Sequence, residues 1–362
     1  MISHLNAPGA CRNPVRSRRG AAFLAAISAV ALLAASCGGD AEGAGAKGEG
    51  LTLRIGYFPN VTHASAIVGL KKGVWADSLG ENVTIESKPF NAGGDAIESL
   101  FSGAIDASFL GPNPAITGFA ESNGEALRIV SGATSGGAFL VVKPEIKTVE
   151  NLRGKKISSP DLGNTQDVAL RAWLAEQGLE TDPEGGGDVS ILPQENAQIF
   201  ETFASGEIDG AWVPEPWATR MIEEGDGTVL VDEADLWPDG QFVTTHLIVA
   251  TSFLEDHPDV VKNLLEGHVA ATDFANENPE ESQQVVIDSI EEVTGAAVGP
   301  ETIAIAWKNL EFTVDPVADS LRAVAEDAAA VDLLDPVDLN GIYDLSLLNE
   351  ILTEQGRDEV QD

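Results

Sequence analysis

Asn91-Ala-Gly-Gly-Asp-Ala-Ile-Glu-Ser-Leu-Phe-Ser-Gly-Ala-Ile-Asp106 has a second version further along, Gln194-Glu-Asn-Ala-Gln-Ile-Phe-Glu-Thr-Phe-Ala-Ser-Gly-Glu-Ile-Asp209. At a constant offset of 103 residues, Glu98 matches Glu201, Ser102 matches Ser205, Gly103 matches Gly206, Ile105 matches Ile208 and Asp106 matches Asp209. After a one-residue slip the likeness runs on from Ala107-Ser-Phe-Leu-Gly-Pro-Asn-Pro114 to Gly210-Ala-Trp-Val-Pro-Glu-Pro216. Each copy predicts the same local structure. A helix ends at Ser-Gly, where glycine takes the left-handed cap conformation that other residues avoid. A short strand follows, over 107–110 or 210–213. A Pro-x-Pro loop then stops it, because proline cannot donate to a central ladder. The pair predicts two lobes of similar build. Ligands of open α/β sheets bind outside the carboxyl ends of the strands, so two facing lobes would bring both Pro-x-Pro loops onto one cleft.

The flanking sequence extends this reading. Leu51-Thr-Leu-Arg-Ile-Gly-Tyr-Phe58 alternates as a strand up to Pro59-Asn60. Ala66, Ile67, Leu70 and Val74 recur at helical spacing and predict one helix over 63–75. Residues 83–90 read as a strand. In the second lobe the strands are 155–159 and 189–192, with a helix over 165–177 and an exposed glycine-rich loop at 182–188. Thr244 to Ala250 is an apolar strand that crosses back to lobe one. Helices over 259–276, 279–293, 300–310, 317–331 and 343–355 complete the chain. Strands alternating with helices predict the α/β class with two doubly wound, mainly parallel lobes around a central cleft. The punctuation places lobe one at 51–143, lobe two at 144–245 and a return segment of lobe one at 246–362.

The chain has 362 residues, 21 basic and 58 acidic, for a formal net charge of −37. This acidity excludes a phosphate-neutralising nucleic-acid surface and a polybasic membrane patch. Hydrophobic residues make up 43%, enough for a core in each of two lobes of about 150 residues. The two cysteines, Cys11 and Cys37, exclude a disulfide framework, a multi-cysteine zinc site and an iron–sulfur cluster. No metal and no cofactor are expected. The acid is placed unevenly: residues 1–36 hold no Asp or Glu and four Arg, and only small and apolar residues run from Ala21 to Ala35. This predicts a signal peptide over 1–36. Leu33-Ala-Ala-Ser-Cys37 resembles a lipobox, whose cysteine is diacylated and becomes the new N-terminus; Ala34 stands where leucine is usual. Cys37 is therefore the expected lipidation site, and 37–50 a flexible, glycine-rich tether. The mature chain would carry 17 basic and 58 acidic residues, or −41.

Gly56-Tyr-Phe-Pro-Asn-Val-Thr-His63, Ser102-Gly-Ala-Ile-Asp106, Lys147-Thr-Val-Glu-Asn-Leu-Arg-Gly154 and Trp212-Val-Pro-Glu-Pro-Trp217 together resemble the nitrate/sulfonate/taurine group of ABC-transporter substrate-binding proteins. The resemblance covers about residues 51–355. It implies a bilobal type II periplasmic-binding-protein fold with a small solute held between the lobes. It also implies closure on binding, delivery to a membrane permease and its ATPase, a monomer, and no catalysis. The place implied is extracytoplasmic, at the outer face of the cell membrane, where the lipid would anchor the chain. The ligand implied is a small organic anion, an aliphatic sulfonate or a taurine-like compound. Nitrate, bicarbonate and a pyrimidine of the thiamin-precursor kind stay open, as does a sensing lipoprotein without a transporter. An enzyme of the same fold relies on a cysteine-rich motif that is missing here. The nucleophile-elbow, P-loop and His-Glu-x-x-His signatures are missing too.

Candidate contacts follow from where strands end and helices begin, since helix N-termini offer N–H groups and a positive dipole end. Lobe one offers Pro59, Asn60, Thr62 and His63, then Asn91, Gly93 and Gly94, then Pro112 and Asn113, then Ser135, Gly136 and Gly137. Lobe two offers Asn164 and Thr165, Gln194 and Asn196, and Glu215 and Trp217. Trp212 alternates into a strand and reads as core. Glu215, between two prolines at a strand end, reads either as a ligand contact that selects a donor or as a cap or hinge contact. No Lys or Arg falls in these loops. An anion would be held by dipoles and neutral donors against an acidic field, which salt screens beyond about 10 Å at 0.1 M.

Overall fold

The computed structural model describes residues 50–362; the expected signal peptide, the lipidation site Cys37 and the tether before Gly50 lie outside the described residues. β1 (Leu51–Tyr57) buries Leu53, Ile55 and Tyr57 by strand alternation. The helix expected over 63–75 is two, α1 (Ala64–Lys71) and α2 (Val74–Leu79). Gly73 separates them at a φ of 76°, a left-handed turn that swings Trp75 fully into the core. Lobe one continues with β2 (Val83–Pro89), α3 (Gly93–Phe101), β3 (Ala107–Leu110), α4 (Pro112–Glu121) and β4 (Leu127–Gly136). Lobe two contains β5 (Ala138–Val142), β6 (Lys156–Ser159), α5 (Thr165–Glu176), β7 (Ser190–Pro193), α6 (Asn196–Ser205), β8 (Gly210–Pro214), α7 (Trp217–Glu223) and β9 (Thr228–Asp232). β10 (Val243–Ala250) returns to lobe one. There α8 (Thr251–Asp256), α9 (Pro258–Glu277), α10 (Pro279–Thr294), α11 (Pro300–Trp307), β11 (Leu310–Phe312), α12 (Ala318–Ala330) and α13 (Ser346–Glu354) complete the chain. No helix among the described residues is long and apolar enough to cross a membrane.

The sheets run β11-β4-β10-β3-β1-β2 and β7-β6-β8-β5-β9. β2-β1-β3 and β7-β6-β8 are parallel triplets. Each is flanked by an antiparallel strand, β10 in the first lobe and β5 in the second. Each flanking strand is the one the chain forms on entering that lobe from the other. The change of sheet therefore falls at Gly136-Gly137 and just before Val243, rather than at the 143/144 and 245/246 punctuation expected from sequence. Gly136 and Gly137 make the first crossing at φ values of 82° and 74°.

The repeated Ile-Asp has a structural reason. Asp106 and Asp209 each stand where a parallel strand begins and bind back to the parallel strand beside it, β1 in lobe one and β6 in lobe two. Asp106 donates its N–H to the Arg54 carbonyl at 2.7 Å and accepts the Arg54 N–H at 2.8 Å. Asp209 repeats both bonds with Lys156, at 2.8 and 2.9 Å. Gly103 and Gly206 cap the preceding helices at φ values of 68° and 81°, with open space where a side chain would stand. Conformation, not crowding, selects glycine at both places.

The second sheet is covered on both faces, and β5 shows it. Leu140 and Val142 join a cluster with Trp173 and Trp212, while Phe139 and Val141 join one with Phe203 and Met221. Trp212 is core, edge-on to Trp173 at 6.0 Å. Its indole N–H donates to Glu233 Oε2 at 2.6 Å. Burial pushes the Glu233 carboxyl up to about 7, with Asp232 and Asp327 adding to the push and the Trp212 and Trp237 bonds opposing it. The folded chain thus holds a proton that an unfolded Glu loses near pH 4.5. This contribution to stability is present below that pH and is lost as pH rises from about 4.5 to about 7, a change of the order of 3 kcal/mol. Melting temperatures measured across that window should fall in the wild type relative to Glu233→Gln. Parallel curves would contradict a buried neutral carboxyl.

Candidate functional site

Of the hollows lined by both lobes, one lies where the parallel strands of both sheets end. From lobe one come Phe58, Asn60, Thr62 and His63 after β1, Asn91, Ala92 and Gly93 at the start of α3, Gly111 and Pro114 around the start of α4, and Thr244 and Thr245 on β10. Lobe two adds Pro160, Asp161, Asn164, Thr165 and Gln166 between β6 and α5, Asn196 at the start of α6, and Pro214 at the end of β8. All the parallel strands that reach it do so by their carboxyl ends, as open α/β sheets dictate. The volume is about 50 Å³, room for roughly four water-sized groups. The lobes meet closely around it. A Cβ added to Gly111 of lobe one would lie 2.5 Å from Thr165 Oγ1 of lobe two.

His63 is buried and neutral, since burial drives its imidazole down to about 3. Its Nδ1 accepts the Phe58 N–H at 3.3 Å, and the Phe58 ring stacks on it at 4.6 Å. The remaining proton is therefore on Nε2, which makes the ring a neutral donor. Asn164 caps α5 by accepting the Asp167 N–H at 2.9 Å. No side chain caps α3, so the N–H groups that start at Gly93 stay available. α4 offers fewer donors, because Pro112 and Pro114 carry no N–H. Asp161 is half-buried. Burial raises its carboxyl from the usual range, Asp95 and Asp167 add to this, and the Leu162 N–H at 3.0 Å opposes it. No Lys or Arg is among the side chains lining the cavity.

Asn60, Thr62, His63, Asn91, Gly93, Asn164, Thr165 and Asn196 are thus brought together as expected from sequence. The other candidates are placed elsewhere. Pro59 lies between two lining residues without lining the cavity itself. Gly94 borders a shallow groove beside Asp161 and Leu162. Pro112 opens α4 instead of forming a loop, and this turns Asn113 toward α12, where its amide donates to the Val324 carbonyl at 3.5 Å. Ser135, Gly136 and Gly137 belong to the crossing. Ser135 accepts the Phe242 N–H at 3.3 Å, and Gly136 donates to the Phe242 carbonyl at 3.1 Å. Gln194 lines an outer groove and donates to Ser158 and Thr202 at 3.0 and 2.9 Å. Glu215 is buried away from the cavity. It accepts from the Thr219 N–H and hydroxyl at 3.0 and 2.8 Å, capping α7, and from Asn309 of lobe one at 2.7 Å. Trp217 packs on the second lobe's core with the Arg220 guanidinium 5.1 Å over its ring.

Sequence reading missed Pro160-Asp161, Thr244 and Thr245. A signal for the first pair was present. Pro59-Asn60 follows β1, and Pro160-Asp161 follows β6, the equivalent strand of the other lobe. The threonines carry no such mark, because they lie inside an apolar strand.

Comparison with known proteins bears on the family and the fold. The NMT1-like family matches residues 46–288. The taurine-binding periplasmic protein of Escherichia coli K12 is 28% identical over 197 residues, 54% of this chain and 59% of that protein. The bicarbonate-binding protein CmpA of Synechococcus elongatus is 23% identical over 312 residues, 76% of this chain and 68% of that protein. Among solved structures, the alkanesulfonate-binding protein SsuA of Xanthomonas axonopodis pv. citri, bound to MOPS, superposes with a TM-score of 0.64 at 20% identity. That match covers 79% of this chain and 95% of that one. The fold is the bilobal one of periplasmic binding proteins, and these relatives are binding proteins, not enzymes.

Proposed function

The chain belongs to the NMT1-like family, and from that premise we propose that it is the extracytoplasmic solute receptor of an ABC importer. It captures a small organic oxyanion, of the sulfonate or taurine-like kind, and releases it to a membrane permease driven by an ATPase. The observation that carries this reading is the cavity walled by both lobes, with donors from His63 Nε2 and the uncapped start of α3. Two lobes joined by two crossings can open to admit a solute and shut around it, and a solute that touches both stabilises the shut form. Diacylated Cys37 would keep the receptor at the membrane, since two acyl chains anchor where one is marginal.

A melting-temperature screen tests the reading. The compounds are alkanesulfonates, taurine, nitrate, bicarbonate and pyrimidines. One class should stabilise the protein, by about 2.7 kcal/mol at a hundredfold excess over Kd. Silence from every class would sink the proposal. Metabolic labelling with palmitate should mark the wild type and not Cys37→Ser.

A further inference from the structure

We propose that Asp161, with the amide oxygens of Asn60 and Asn196, forms a subsite for a cationic, N–H-bearing end of the solute, so that the ligand is a small zwitterion. This rests on the reading of the cavity as the solute site. Asn60 is buried, and its Oδ1 has no hydrogen-bond partner among the described residues. The buried Oδ1 of Asn196, on the opposite lobe, also has none. Both residues line the cavity, as does Asp161, its one anionic side chain. An amide oxygen shut away from water without a donor is costly. Nitrate or a plain alkanesulfonate brings only more acceptors and would set oxygen against oxygen, and bicarbonate brings a single O–H donor and no positive charge. An ammonium group brings three donors and a charge opposite to that of Asp161.

The approach points the same way. The outer groove of about 850 Å³ shares Ala92, Pro160 and Asp161 with the cavity. It carries Asp95, Glu195 and Glu207 against the single Lys156. Such a mouth favours a positive end and penalises a bare anion. The anionic end has its own place, at the neutral Nε2–H of His63 and the uncapped N–H groups beginning at Gly93.

Calorimetric titration of the whole protein against matched pairs tests the proposal: taurine against ethanesulfonate, and β-alanine against propionate, with nitrate and bicarbonate alongside. We expect at least one ammonium-bearing member to bind about tenfold or more tighter than its partner. Asp161→Asn, a substitution of the same shape, should narrow that gap by about tenfold. Ethanesulfonate, propionate or nitrate binding as tightly as the ammonium compounds would overturn the subsite while leaving the receptor reading intact. An unchanged gap in Asp161→Asn would overturn it equally. Binding by none of the compounds would overturn both.

Discussion

Asp167→Ala should destabilise the second lobe by about 3–5 kcal/mol. Asp167 is fully buried near the start of α5. Its carboxylate accepts from Arg171 Nε at 2.9 Å, the Ser159 hydroxyl at 2.5 Å and the Gly163 N–H at 2.9 Å. Arg171 is buried as well, and neither Nη1 nor Nη2 has a partner among the described residues. The guanidinium therefore depends on this single carboxylate, and removing it strands a charge in a low-dielectric interior. The same bonds shape the segment from Ser159 to Asn164, which forms much of the lobe-two wall of the cavity, so solute affinity should fall too. Urea titrations of Asp167→Ala, Arg171→Met and the double variant read the effect. The double variant should be more stable than Asp167→Ala alone, because no unpaired charge is left. A loss below about 1 kcal/mol in Asp167→Ala would show that the pair is not what holds the lobe.

Gly111→Val should weaken solute binding by roughly ten- to a hundredfold with little change in melting temperature. Gly111 has ordinary extended backbone at a φ of −71°, so valine is no strain there. The obstacle lies across the cleft. An added Cβ would be 2.5 Å from Thr165 Oγ1, and the Thr244 carbonyl oxygen is 3.6 Å away. Overpacking of about 1–3 kcal/mol would fall on the shut form alone, and that energy converts to the stated loss of affinity. Thr165→Ala removes the nearest atom and should recover part of the loss. Small-angle scattering with saturating solute should give a larger radius for Gly111→Val than for the wild type. Equal radii and equal affinities would mean that the lobes do not need this close approach.

The sequence made the two-lobe plan readable because the repeated segment is fixed by local physics: a glycine cap, a buried isoleucine and an aspartate bound to its neighbouring strand. His63, Asn60 and Thr165 were readable for a similar reason, since they stand where strands give way to helices. Ser135 to Gly137 misled, because a glycine pair that lets backbone approach a ligand looks the same as one that lets a chain turn between sheets. Asn113 misled because Pro112 begins the helix one residue earlier than a loop reading allows. Glu215 has a partner 94 residues away in Asn309, and no local pattern announces such a bond. Thr244 and Thr245 reach the cavity only because β10 is inserted beside β3, a pairing set by tertiary structure.

That insertion also sets an order of assembly. Lobe two is one unbroken stretch, so its sheet can form as soon as its last strand, β9, is available. Lobe one cannot do the same. β10 separates β3 from β4 in its sheet, and the gap stays unfilled until residues 243–250 have arrived. For a chain that emerges N-terminus first, the lobe begun first is the lobe finished last. Its early strands must wait, edges unpaired, for a segment more than a hundred residues downstream, and such long-range closure is the slow kind of folding.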